Sequence, residues 1–249
     1  MLILLPPSEG KRAGGEPGSR LDLAALRFRG LDEQREAALA GVEALAEDPS
    51  ASLRALGLKP GREQESAKNR VVRSSPVLPA ALRFTGVLYE ALDAASLPPS
   101  GVELLRSCVV VHTALLGPVG AMDPVPDHRL SADSRLPGLS MKKLWAAPVA
   151  RELAAVPGLV VDARSRAYVS LGPAPAGSLY LDVVTEDAGG VRRALGHFNK
   201  KAKGELVRAL ALHGDPELGL DGLLRWARSA GFRLEVAGDA AERRLVLVV

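Results

Sequence analysis

Lys11, three residues beyond Ser8, follows directly on the apolar opening MLILLPP, so a hydroxyl and a cation arrive together where a buried strand must end. Strand ends carry ligand sites because the sheet fixes the backbone while the following loop presents side chains. Gly10-Lys11 falls well short of the eight-residue phosphate-loop pattern, and an ordinary surface turn fits the same residues. A second group, Asp123, Asp127, His128 and Arg129, lies in a Pro-rich stretch after residue 117. It offers acids for proton transfer and an arginine for phosphate, although Asp123 and Asp127 are equally suited to capping turns. A third group, Asp162, Arg164 and Ser165 with Tyr168 just behind, closes the short apolar run LVV. The fourth is basic: Arg192, Arg193, Lys200, Lys201, Lys203 and Arg208 share a stretch in which Glu205 is the only acid. Such clustering suits a phosphate-facing surface, and a solvated helix or strand face is the plainer alternative. His112, His128, His197 and His213 are too dispersed in sequence to show a nucleophile–base pair or metal-ligand spacing. With Cys108 the only cysteine, no metal, cofactor or disulfide is expected.

These groups need elements to hold them. Residues 32–47 place Leu39, Val42 and Leu45 at helical spacing, with Asp32 as the expected cap, and a shorter helix over 51–56 should stop at Gly57. Val87, Leu88 and Leu92 fit a short helix, Pro98 to Gly101 a loop, and residues 102–106 a second helix. That pair suggests a helix-hairpin-helix whose loop amides bind phosphate, and an ordinary helical hairpin fits as well. Residues 108–116 are β-branched and apolar, hence a buried strand. The following segment to about 138, with four prolines, should have no regular structure. Residues 141–155 form an amphipathic helix with Trp145 in the core. The run 179–185 followed by Asp187-Ala188-Gly189-Gly190 reads as a hairpin whose second strand extends to Lys200-Lys201, with a helix from Gly204 onward. Helices over 205–213 and 217–230, with Trp226 in the core, and a closing hairpin complete the chain.

The whole is expected to be a mixed α/β domain spanning residues 1–249, its central mixed sheet flanked by helices. Apolar residues make up 47% and charged ones 24%, and no run approaches the roughly 18 apolar residues that span a bilayer. The start has no basic region ahead of its short apolar stretch, so a cytoplasmic location is expected. A net charge of +3 from 32 basic and 29 acidic residues does not by itself predict a nucleic-acid partner.

The segments MLILLPPSEGK, RFTGVLYEALD, LLGPVGAMDPVPDHRL, VVDARSRAYV and HFNKKAKGELVRAL, in this order and spacing, resemble the YaaA family of peroxide-stress-resistance proteins over nearly the whole chain. The resemblance implies a YaaA-like fold with a helix-hairpin-helix, a positively charged cleft, DNA binding, and protection against hydrogen peroxide through limited free iron and DNA damage. Matched by position, the family pattern falls on Ser8, Lys11, Phe84, Gly86, Tyr89, Gly117, Asp123, Arg129, Tyr168, Lys200, Lys201 and Gly204. The chain departs at Gly120-Ala121, where an arginine is common, at His128, where another aromatic is usual, and at Lys203, where an arginine is usual. One guanidinium fewer removes a bidentate phosphate clamp and implies weaker DNA binding. The leading expectation is a DNA-binding stress protein in which Lys11, Arg129, Lys200, Lys201 and Lys203, with Ser8, meet backbone phosphates of duplex DNA without sequence preference. The alternative is an enzyme acting on nucleic acid or a nucleotide at the same cleft, with Asp123 or Asp127 as acid or base and Tyr168 beside them.

Overall fold

Leu2–Leu5 (β1) is wholly buried and forms the middle of a mixed sheet, as four consecutive apolar residues with no polar alternation require. A computed structural model of the chain describes residues 1–195, 199–213, 215–239 and 243–249; His197 and Phe198 lie outside them. The other strands are β2 (Val77–Pro79), β3 (Val109–Thr113), β4 (Gly117–Gly120), β5 (Pro124–Pro126), β6 (Val160–Asp162), β7 (Leu179–Glu186), β8 (Arg192–Ala194), β9 (Arg233–Ala237) and β10 (Arg244–Val248). The main sheet runs β4-β3-β1-β6-β7-β10-β9, with β8 against the end of β7, and β2 pairs with β5 apart from it. Strands β3, β1, β6, β7 and β10 are mutually parallel, whereas β4, β8 and β9 pair antiparallel with β3, β7 and β10.

The helices are α1 (Asp32–Ala46), α2 (Pro49–Ala55), α3 (Glu63–Ala67), α4 (Ala80–Arg83), α5 (Val87–Leu92), α6 (Pro99–Cys108), α7 (Met141–Ala154), α8 (Arg166–Val169), α9 (Asn199–His213) and α10 (Leu220–Ser229). The expected mixed α/β architecture is present. Trp145 is fully buried, with Nε1 donating to the Ala114 carbonyl at 2.9 Å, and Trp226 is buried as well.

Several local expectations are corrected. Asp32 does not cap α1; it is the first helical residue, and its carboxylate pairs with Arg29 and Arg35 instead. The Pro-rich stretch after β3 is not wholly irregular. It contains β4 and β5, because β3 and the distant β2 supply partners that local composition does not reveal. The 179–185 hairpin is present, but its second strand ends at Ala194, and α9 begins at Asn199 rather than at Gly204. Gly204 sits inside α9 because the helix crosses α5 closely there: a Cβ would collide with the Leu88 carbonyl oxygen and the Ala91 side chain. Close helix approach, not helix initiation, explains this glycine.

Two buried arginines tie the loops to this frame. Arg35 donates from Nε to Leu116 O (3.0 Å) and from Nη2 to Arg27 O (2.6 Å) and Pro118 O (3.1 Å). Arg83 donates to the carbonyls of Val125 (2.9 Å), Pro76 (2.8 Å) and Arg12, so α4 fixes the loop that carries Lys11. Neither arginine faces a carboxylate from Asp123 or Asp127 at ion-pair distance. Three bonds to backbone oxygens for each, with the Asp32 carboxylate on Arg35 Nη1 as well, let these guanidinium groups stay buried.

Candidate functional site

β1 connects through the long helical excursion to β3 on one side of it, whereas β6 connects to β7 on the other side. The gap between the carboxyl ends of β1 and β6 is therefore a topological switch point, where an open parallel sheet leaves a crevice.

The β1 wall is built by two of the sequence motifs locking together. Pro6 and Pro7 have no amide to continue a ladder, and the Pro6 carbonyl instead accepts from Tyr89 Oη at 2.7 Å. Residues 10–12 then run against residues 83–85: Thr85 N donates to Gly10 O (3.0 Å), Arg12 N to Arg83 O (2.8 Å), and Lys11 bridges to Phe84. Gly86 has φ +92, and a Cβ there would stand 3.3 Å from Ser8 Oγ, so a glycine lets the α5 turn approach the Ser8 hydroxyl.

Lys11 is half-buried. Its Nζ lies 5.3 Å from the Phe84 ring centroid and makes only long hydrogen bonds, to Ser8 O (3.4 Å) and Glu9 O (3.3 Å). Burial, reinforced by Arg129 and Lys68 and opposed by Asp127 and Glu65, brings its pKa down to about 7. Those charges form a chain: Glu65 and Asp127 both reach Lys68 (3.3 and 3.2 Å), and Arg129 reaches Glu9 (2.8 Å). Asn69 holds the backbone of Arg129 from both sides at 2.9 Å. Asp127 Oδ1 is buried without a hydrogen-bond partner among the described residues. His128 Nδ1 donates to Pro126 O at 3.0 Å, and burial, then Lys11, hold its pKa well below the usual 6.5.

The β6 wall is centred on a buried ion pair. Arg164 grips Asp162 with Nε (2.8 Å) and Nη2 (2.6 Å), and its Nη1 donates to His112 Nδ1 (2.6 Å) and Gly172 O (2.9 Å). Because Nδ1 accepts from a guanidinium, the neutral imidazole carries its proton on Nε2, which has no hydrogen-bond partner among the described residues; burial and Arg164 keep the ring uncharged. Tyr168 lies edge-on to that ring at 5.9 Å, and burial raises its hydroxyl pKa above the ordinary value. Lys203 Nζ donates to Ala163 O at 2.9 Å and sits 5.7 Å from the Tyr180 ring, with burial lowering its pKa to about 8.

Between the walls lies a cavity of about 300 Å³ lined by Ser8, Glu9, Asp133, Ser165, Tyr168 and Lys200 among others. A second, of about 170 Å³, is lined by Ser8, Gly86, Tyr89 and Lys200. Both share Pro6, Pro7, Ser8 and Lys200, so together they form one crevice over the end of β1.

The sequence candidates therefore separate. Ser8, Lys200 and Tyr168 line the crevice, and Lys11, Asp127 and Arg129 form the charged cluster behind its β1 wall. Asp123 stands apart, beyond β4 at the amino-terminal end of β3; its carboxylate accepts from Gly120 N (2.7 Å) and Arg27 N (2.6 Å), and it caps a turn. Lys201 is exposed and pairs with Glu205 at 3.4 Å, and Lys203, 6% exposed, points inward rather than at a ligand. The basic run disperses further, since Arg192 pairs with Glu186 and Glu235 and Arg208 with Asp93. The α5–α6 hairpin does not offer a free glycine loop: Pro99, Ser100 and Gly101 belong to α6, and Gly101 is buried, with room for a Cβ limited by Ala211 O at 3.2 Å. Lys68 and Asn69 escape the sequence reading, and it sets aside His112, whose partner Arg164 lies 52 residues away. Nothing local marks Asn69, whose partner lies 60 residues away.

The crevice, cationic on its flanks, is thus set at a switch point between parallel strands of a mixed α/β fold. Comparison with known proteins fixes the family. The family model described as "Peroxide stress protein YaaA" matches residues 1–235, and the chain belongs to this YaaA family. It is 39% identical over 254 residues to a UPF0246 protein of Corynebacterium efficiens, with all of both chains covered. A UPF0246 protein of Corynebacterium glutamicum is 39% identical, again over the full length of both. One from Streptomyces coelicolor is 38% identical, covering 96% of this chain and 94% of its own.

Proposed function

We propose that this protein acts in peroxide stress by binding duplex DNA without sequence preference, in the cytoplasm, with the β1/β6 crevice receiving backbone phosphate. The observation that carries the reading is that Lys200, exposed in the first turn of α9, and the Ser8 hydroxyl line both cavities of the crevice. Arg129 and Lys11 add positive charge behind the same wall, and Lys201 extends it along α9. Phosphate contacts made by such side chains carry no base information and release counterions. With aromatic residues only 4% of the chain, no stacking platform for bases is evident.

Fluorescence anisotropy with a labelled duplex tests this. Affinity should fall log-linearly with salt, and Lys200→Gln should weaken binding to every sequence alike and reduce the slope by about 0.9, the value for one phosphate contact. A salt-independent affinity, or an unchanged slope in the variant, refutes the crevice as the phosphate site.

A second reading, an enzyme acting on nucleic acid or a nucleotide in the same crevice, is favoured by one observation: Asp127 keeps a buried, unpartnered carboxylate oxygen beside a lysine of depressed pKa.

A further inference from the structure

Phosphate binding leaves one pair unexplained. A lysine kept for an anion reaches it as a hydrated ammonium on a flexible stem. Lys11 instead lies on the face of Phe84, its Nζ held only by two long hydrogen bonds to carbonyls. Among the described residues it has no ion pair, because the acids around it are engaged elsewhere: Glu9 by Arg129, and Glu65 and Asp127 Oδ2 by Lys68. The groups facing it are Asp127 and Arg129 beyond β5, Lys68 and Glu65 from the α3 region, and the uncharged His128 against Phe84. With its pKa near 7, about half of the side chain is free amine at neutral pH and carries a nucleophilic lone pair. Asp127 Oδ1 is buried with no donor, an arrangement that costs stability unless a ligand or a reaction uses it.

We propose that Lys11 is an amine nucleophile that forms a Schiff base with an aldehyde on a phosphate-bearing ligand, and that Asp127 moves the protons. This rests on the crevice being a phosphate site whose ligand extends past the β1 wall to Lys11; within DNA, the aldehyde of that class is the ring-opened deoxyribose of an abasic position. The Lys11 amine attacks the aldehyde carbon, and the carbonyl oxygen takes a proton as the C–N bond forms. The nitrogen loses a proton to Asp127 Oδ1. Asp127 then returns that proton to the hydroxyl, which leaves as water while the nitrogen lone pair closes the C=N bond. The carbonyl oxygen's proton comes from water and the protonated imine returns one to it, so one amine and one aldehyde give one imine and one water, with no oxidant or reductant.

Reductive trapping tests it. The full chain is mixed with sodium cyanoborohydride and a duplex containing one abasic site, and the product is mapped by mass spectrometry; binding of the matched intact duplex is measured in parallel. A one-to-one adduct on Lys11 is expected, reduced at least tenfold at saturating duplex by Lys11→Arg and by Asp127→Asn, both checked for folding by circular dichroism. If the intact duplex binds but no adduct forms, or if the adduct maps to other lysines, the Schiff-base inference is overturned while the phosphate crevice stands. If the intact duplex fails to bind, the DNA reading falls, and glycolaldehyde phosphate under the same conditions decides the chemistry: labelling of Lys11 supports it, and no labelling overturns it. Should either variant fail to fold, the wild-type peptide map alone decides.

Discussion

Replacing Lys11 with methionine should stabilise the protein at pH 7 and lose that advantage by pH 10.5. In the unfolded chain the ammonium keeps its proton up to about 10.5, whereas in the folded protein it gives it up near 7. Between these values the unfolded state binds more protons, so the stability of the native chain rises with pH through this window and the contribution is absent above it. The full difference corresponds to about 5 kcal/mol between protonation states. With these two values about 4 kcal/mol of it is expressed at pH 7 and about 1 kcal/mol at pH 10. Methionine keeps the stem packed on Phe84 but loses two long hydrogen bonds, a loss of about 1 kcal/mol, while the cation–π contact weakens in the native chain itself as Lys11 gives up its proton above pH 7. The readout is the stability of variant minus native, from urea unfolding at pH 7, 8.5 and 10; groups titrating elsewhere cancel in that difference. A fall of about 3–4 kcal/mol across the series is expected. A difference that stays flat with pH would falsify the claim that Lys11 is held in a desolvated place, and with it the nucleophile drawn from it.

Other consequences of the geometry are open to measurement. Gly204→Ala forces α9 away from Leu88 O and should lower stability by 2–3 kcal/mol or more on the scale of overpacking, visible as a drop in thermal midpoint; an unchanged midpoint contradicts the close α5–α9 crossing. Arg164→Met strands Asp162 in the interior and should cost about 3–5 kcal/mol, whereas adding Asp162→Asn to it should recover part of the loss in urea unfolding; full additivity of the two changes argues against the buried pair. Asp123→Ala removes acceptors from two backbone amides and should cost about 2 kcal/mol, yet leave duplex affinity as it was; a loss of binding beyond the loss of folded protein would return Asp123 to the site.

The elements with the strongest local pattern are the ones the sequence discloses. β1 is four apolar residues closed by two prolines, α1 repeats its apolar face at helical spacing, and the 187–190 turn signals the hairpin of β7 and β8. What stays hidden depends on distant partners. β2, β4 and β5 are three or four residues each, rich in proline and glycine, and become strands only because another strand arrives beside them. Asp123 and Asp127 look alike in sequence, four residues apart in one Pro-rich segment; folding sends the first to a turn at the far edge and the second to the Lys11 cluster. Lys200 and Lys203 look equally basic, and the helical phase of α9 alone decides that one faces the crevice and the other the Ala163 carbonyl.

The placement of β1 has a consequence for biosynthesis. Leu2–Leu5 is synthesised well before its sheet neighbours, Val109–Val111 and Val160–Asp162. At about 5–20 residues per second, a stretch of bare aliphatic side chains waits on the order of ten to thirty seconds for both flanks. Long-range parallel pairing of this sort also slows folding once synthesis is complete. The nascent chain thus carries an unpaired sticky segment for much of its translation, and a helper protein that shields apolar segments should raise the yield of native molecules more for this chain than for one whose central strand is made last.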